Sequence, residues 1–151
     1  MKTPSSQRIL AFDYGLARTG VAVSDESVSM ALPVGLLSTK APTFWNDIEQ
    51  LFNRYHPKKV LIGLPLHMDG KESEQTTLTR NFALELQKRW PEMDIEMIDE
   101  RLSSRQAEAL LRETGSNRKK RAAKSDETSA WILLSCYLEL TSFNSSWPST
   151  R

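Results

Sequence analysis

One cysteine in 151 residues, Cys136, leaves no partner for an internal disulfide and no second thiol for a cysteine-built metal site. The expected compartment is therefore a reducing one, the cytoplasm. Histidine is equally scarce, with only His56 and His67. No run approaches the roughly 18 apolar residues that a membrane helix needs. The most apolar stretch, Ala130 to Leu138, is short and interrupted by Ser135, so no membrane association is expected. The first residues carry one lysine and no apolar region of signal-peptide type, because Asp13 interrupts the stretch after Arg8. An excess of charge is missing too: 20 Lys+Arg face 19 Asp+Glu, a formal net charge of +1. That balance excludes a uniformly basic nucleic-acid coat, so a polyanionic partner would have to meet locally clustered charge. What remains is an ordinary globular composition, 39% hydrophobic and 26% charged, in a chain of one-domain length.

Residues 1–7 read as a loose lead-in, 8–140 as one domain, and 141–151 as a polar, Ser-rich tail. Arg8 to Asp13 is a short apolar run ending in an acid, and Thr19 to Ser24 is a second run after the turn Tyr14-Gly15-Leu16-Ala17, which predicts a hairpin. Met30 to Leu37 is a third strand whose Pro33 places it at an edge or a bulge. Trp45, Ile48, Leu51, Phe52 and Tyr55 recur at helical spacing up to His56-Pro57. Lys59 to Leu64 is a continuous apolar run of the kind covered on both faces of a sheet. Leu78, Phe82, Leu86 and Trp90 predict a second helix, and Asp94 to Asp99 alternates as a strand. Ser103 with Gln106 is a capping box for a helix to Gly115, and Ser125 opens a last apolar helix to about Leu140. The fold class is α/β: a mixed β-sheet with three antiparallel strands first and parallel strands later, flanked by helices.

Three carboxylates stand out by position. Asp13 ends the first strand, Asp99-Glu100 ends the last, and Asp126 lies in the first turn of the last helix, on the face of Ala130, Leu133 and Tyr137. A sheet can bring all three to one edge. Converging carboxylates repel, and divalent cations with hard oxygen ligands, Mg²⁺ or Mn²⁺, resolve that repulsion. Two such ions about 4 Å apart activate a water and stabilise the leaving oxygen in phosphodiester cleavage, with no protein nucleophile required. Simpler roles exist for each acid alone: Asp126 suits a helix dipole, and Asp99 and Glu100 suit a loop before a cap. Asp13 directly follows four apolar residues, where an unpaired carboxylate is costly.

Arg118, Lys119, Lys120, Arg121 and Lys124 place five positive charges in seven residues just before Asp126, a place for a phosphate backbone or a solvated connector. Arg18 and Arg101, each near a candidate acid, are phosphate clamps or salt-bridge partners. The loop Gly63 to Gly70 lacks the Gly-Lys-Ser/Thr of a P-loop.

With these residues in hand, Phe12-Asp13-Tyr14-Gly15 followed by Arg18-Thr19-Gly20-Val21-Ala22-Val23-Ser24-Asp25 resembles the opening signature of the YqgF/RuvX family. Ile62 to Leu66 with Met68-Asp69-Gly70, Asp99 to Ser104, and Lys124-Ser125-Asp126 with Ala130 and Ile132-Leu133 resemble its later blocks, in order. The resemblance implies an RNase H-like fold and a cytoplasmic nuclease that processes the 5′ end of pre-16S rRNA, or else a Holliday junction resolvase acting on branched DNA. It also implies Asp13, Glu100 and Asp126 as the catalytic, metal-binding acids, with Mg²⁺ or Mn²⁺ as cofactor. Ser129 replaces the first of two alanines that usually follow the last acid, and any fourth carboxylate would be Glu127 or Asp99.

Two other readings stay open. A non-catalytic nucleic-acid or transcription-machinery binding module would keep the fold and bind without regard to chelator. A phosphoryl-transfer ATPase is suggested by the likeness of Asp13-Tyr14-Gly15 to the phosphate hairpin of the sugar-kinase/actin superfold, but that architecture needs two such domains. The chain is expected to act as a monomer or a homodimer, and a four-way junction would demand the dimer.

Overall fold

Ile9–Asp13 (β1) and Arg18–Ser24 (β2) pair antiparallel, with Leu10 opposite Val23 and Asp13 opposite Gly20. The turn between them needs glycine: a Cβ on Gly15 would lie 2.5 Å from the Arg18 carbonyl oxygen. The structure is a computed structural model that describes residues 7–101 and 125–146, with side chains of its last helix described from Ser129 to Thr141. Ala31–Ser38 (β3) pairs antiparallel with β2 and forms one edge of the sheet. Its register shifts where Val21 faces Gly35 and Ala22 faces Pro33. The proline thus occupies an edge strand at a bulge, where its missing N–H disturbs the ladder least.

Phe44–Tyr55 (α1) follows, and His56 ends it in the left-handed conformation (φ 47°) before Pro57. Lys59–Leu64 (β4) pairs parallel with β1, Glu74–Arg89 (α2) crosses over, and Asp94–Asp99 (β5) pairs parallel with β4. The helix Ser125–Ser146 (α3) closes the described chain. It runs beyond Leu140, where the polar tail was expected to begin, and Thr141 fits the helix by donating its hydroxyl to the Tyr137 carbonyl at 2.9 Å. The expected helix 103–115 lies outside the described residues.

The strand order is β3-β2-β1-β4-β5, so β1 is central and β2 and β4 flank it. Alternation along these strands feeds two cores. Leu10, Phe12, Val21, Val23, Val60 and Ile62 meet α1 and α2 on one face, while Ile9, Ala11, Ala22 and Leu61 meet Ala130, Leu134 and Leu138 of α3 on the other. The apolar run of β4 is thereby explained, since Val60, Leu61 and Ile62 are all fully buried. Phe82 of α2 anchors the first core, stacking on Tyr14 and Trp45 and meeting Phe12 edge-on.

Candidate active site

Parallel pairing brings the carboxyl ends of β1, β4 and β5 to one edge of the sheet. Asp13 ends β1, and Glu100 directly follows β5. Between them runs β4, so the two acids belong to strands about 9–10 Å apart. Their side chains nevertheless hydrogen-bond to each other. They meet because the intervening strand carries Gly63: a Cβ there would lie 2.6 Å from Glu100 Oε1 and 3.0 Å from its Cγ. Burial, the hydrogen bond that the protonated Glu100 carboxyl donates to Asp13, and the charges of Asp13 and Asp99 push Glu100 up to about 8 from its ordinary 4.5.

Asp99 has a different occupation. Its carboxylate accepts the Arg101 backbone N–H at 2.9 Å and the Arg101 guanidinium at Nε and at Nη2, the latter at 2.6 Å. That pairing holds the Asp99 carboxyl below its usual range. Arg101 also donates to the Met68 carbonyl at 3.2 Å. Of the expected phosphate contacts, Arg18 is exposed at the start of β2, on the same end of the sheet as Asp13. Arg118, Lys119, Lys120, Arg121 and Lys124 lie outside the described residues.

Asp126 is in the first turn of α3, four residues before Ala130, whose row continues through Leu134 and Leu138 onto the sheet. Its side chain, like that of Glu127, lies outside the described set. Among the described residues no cluster of three His, Cys, Asp or Glu forms. The two acids that do meet are hard oxygen donors, and Glu100 is protonated more readily because it is buried and because it bonds to its charged neighbour Asp13. A shared proton relieves their repulsion in the metal-free chain, and a divalent cation relieves it in the same way, so the donor set fits such an ion.

Two contributors escaped the sequence reading. Gly63 is one, although a lone glycine inside an apolar strand is a signal of close approach. The other is Gln75, whose side chain donates to the Tyr14 carbonyl at 3.1 Å and ties the start of α2 to the segment after Asp13.

A family model described as "RuvX: Holliday junction resolvase" matches residues 7–140. The chain belongs to the RuvX family. It is 38% identical over 135 residues to a protein of Escherichia coli (strain SE11) named "Putative pre-16S rRNA nuclease", covering 89% of this chain and 97% of that one. A protein of Christiangramia forsetii with the same name is 39% identical over 133 residues, covering 87% and 97%. Among solved structures, T. thermophilus RuvC in complex with a Holliday junction superposes with a TM-score of 0.52 at 9% identity, covering 89% of this chain and 96% of RuvC. The fold is RNase H-like. RuvX membership places the chain among the nucleases, hydrolases of nucleic-acid ester bonds, and nucleases of RNase H-like fold generally depend on divalent metal ions. Among the described residues no helix is long and apolar enough to cross a membrane.

Proposed function

We propose that this RuvX protein processes the 5′ end of pre-16S rRNA in the cytoplasm, with Asp13, Glu100 and Asp126 as the ligands of Mg²⁺ or Mn²⁺. The observation that carries the reading is the contact of Asp13 and Glu100 across Gly63. One carboxyl at the end of β1 and one just past β5 are held together, and once both ionise they repel at a cost that a cation removes. Bound there, divalent ions supply activation of a water and stabilisation of the oxygen that leaves phosphorus.

The chain's own residues then have distinct tasks. Asp13 and Glu100 present converging oxygens from a rigid sheet edge, and Asp126 adds a third carboxylate from the first turn of α3. Arg18 and the basic residues 118–124 engage the substrate's phosphates, each contact steepening the salt dependence of binding. Placement in the cytoplasm agrees with the single cysteine, Cys136, which is buried with its thiol pushed up to about 11 by that burial.

Cleavage of a 16S rRNA precursor and a synthetic four-way junction, measured in parallel with Mg²⁺ and with chelator, tests the substrate. The proposal expects Mg²⁺-dependent trimming of the RNA, by a monomer or a homodimer alike. Exclusive, symmetric cutting of the junction by a homodimer would instead make the chain a resolvase, as its family description reads. Binding without cleavage of either substrate, unaffected by chelator, would make it a binding module.

A further inference from the structure

Glu100 is flanked by the two partners of an ion pair. Asp99 and Arg101 reach each other past it: the Asp99 carboxylate holds both the Arg101 backbone N–H (2.9 Å) and its guanidinium (3.1 and 3.0 Å from Nε, 2.6 Å from Nη2). The backbone turn on which Glu100 sits is therefore closed by a two-pronged, charge-assisted contact. The remaining guanidinium nitrogen, Nη1, donates to the carbonyl of Met68 and lies 3.4 Å from where a Gly70 Cβ would be.

Met68 and Gly70 belong to the connection between β4 and α2. That connection has internal order of its own. The His67 N–H donates to the Lys71 carbonyl at 2.9 Å, the Gly70 N–H to the His67 carbonyl at 2.8 Å, and Leu66 bridges to Glu72. At its start, the Thr76 hydroxyl donates to the Pro65 carbonyl. The tip is exposed, with Met68 88% accessible beside the acid edge.

We infer that Arg101 is a positioning residue: anchored on Asp99, it braces the 65–71 connection against the end of β5 and so fixes Glu100 over Gly63. Its guanidinium is committed to protein acceptors, which is a different role from the phosphate clamp expected of it. The catalytic consequence rests on the nuclease reading above, whereas the bracing itself does not. A shift of about 1 Å in a reacting group costs up to roughly a hundredfold in rate.

The experiment compares Arg101→Ala, Arg101→Lys and Asp99→Asn in the full chain. Amide hydrogen exchange on the metal-free proteins reads the brace, and cleavage kinetics with the salt dependence of substrate binding read its effect. All three variants are expected to exchange the His67 and Gly70 amides roughly tenfold faster, in line with loss of a charged hydrogen bond. They are also expected to lose roughly 10- to 100-fold in kcat, with the slope of log affinity against log salt unchanged. Arg101→Lys, which keeps charge and most of the stem, serves if Arg101→Ala melts early.

A phosphate clamp would behave in the opposite way. Asp99→Asn would then leave kcat intact, Arg101→Lys would rescue Arg101→Ala, and Arg101→Ala would reduce the salt slope by about 0.7 to 0.9. That pattern, or unchanged exchange at His67 and Gly70, overturns the inference. Absence of cleavage by the wild-type chain would fail the nuclease reading while the exchange data still decide the brace.

Discussion

Gly63 lies so close beneath Glu100 that a methyl group at position 63 would fall 2.6 Å from Glu100 Oε1. The conflict is with the far end of a side chain, and the glycine backbone is not in the left-handed region. Gly63→Ala should therefore fold, with Glu100 rather than the sheet giving way. Cleavage should fall roughly a hundredfold, while the melting temperature stays close to that of the wild type. Retained activity in Gly63→Ala would show that Glu100 does not need its present place.

The Glu100 carboxyl gives the metal-free protein a characteristic pH dependence. Its folded-state value is raised to about 8 from 4.5 by burial, by the Asp13 hydrogen bond and by the neighbouring charges. Between those values the folded chain holds a proton that the unfolded chain has released. Stability must then fall as pH rises through that window. Thermal melts in chelator should show this decline, Glu100→Gln should flatten it, and saturating Mg²⁺ should reverse it by taking the proton's place.

Far from the acids, near the amino ends of β4 and β5, Lys59 donates to Glu96 at 2.8 Å and to the Tyr137 hydroxyl at 3.0 Å, and Tyr137 donates to Glu96 at 3.2 Å. The hydrogen bond to Glu96, followed by that to Tyr137, holds the Lys59 ammonium above its ordinary value. This group ties α3 to the sheet. Tyr137→Phe should cost about 1 kcal/mol, a drop of about 2–4 °C in Tm, with kcat unchanged. A fall in kcat would mean that this end of α3 communicates with the acid edge.

Much of this was legible in the sequence, and the rest was not for identifiable reasons. Hydrophobic alternation and runs located the five strands among the described residues, because a buried interior strand such as Lys59–Leu64 must be apolar on both faces. Pro33 announced its edge and bulge. Asp13 and Glu100 were legible at strand ends that a sheet can bring to one edge, but the glycine of the intervening strand that lets their side chains meet was not, since a close approach depends on register. The sheet-facing surface of α3 is broader than the expected row of Ala130, Leu133 and Tyr137: Ala130, Leu134 and Leu138 form the cluster against β1, β2 and β4, and Tyr137 packs against it. Leu133 is buried as well, and steps of three and four share a helix face, so spacing alone does not separate the two rows. Asp99, a conceivable fourth ligand from its position, is engaged by Arg101, a local pairing that sequence adjacency hides.

Calorimetric titration of Mn²⁺ into the wild-type chain and its Asp13→Asn, Glu100→Gln and Asp126→Asn forms tests the shared cation site most directly. Each substitution should weaken binding by roughly tenfold or more, with Asp126→Asn as damaging as the two acids already seen in contact. Wild-type affinity in Asp126→Asn, or in Asp13→Asn, would contradict a site built from these three carboxylates.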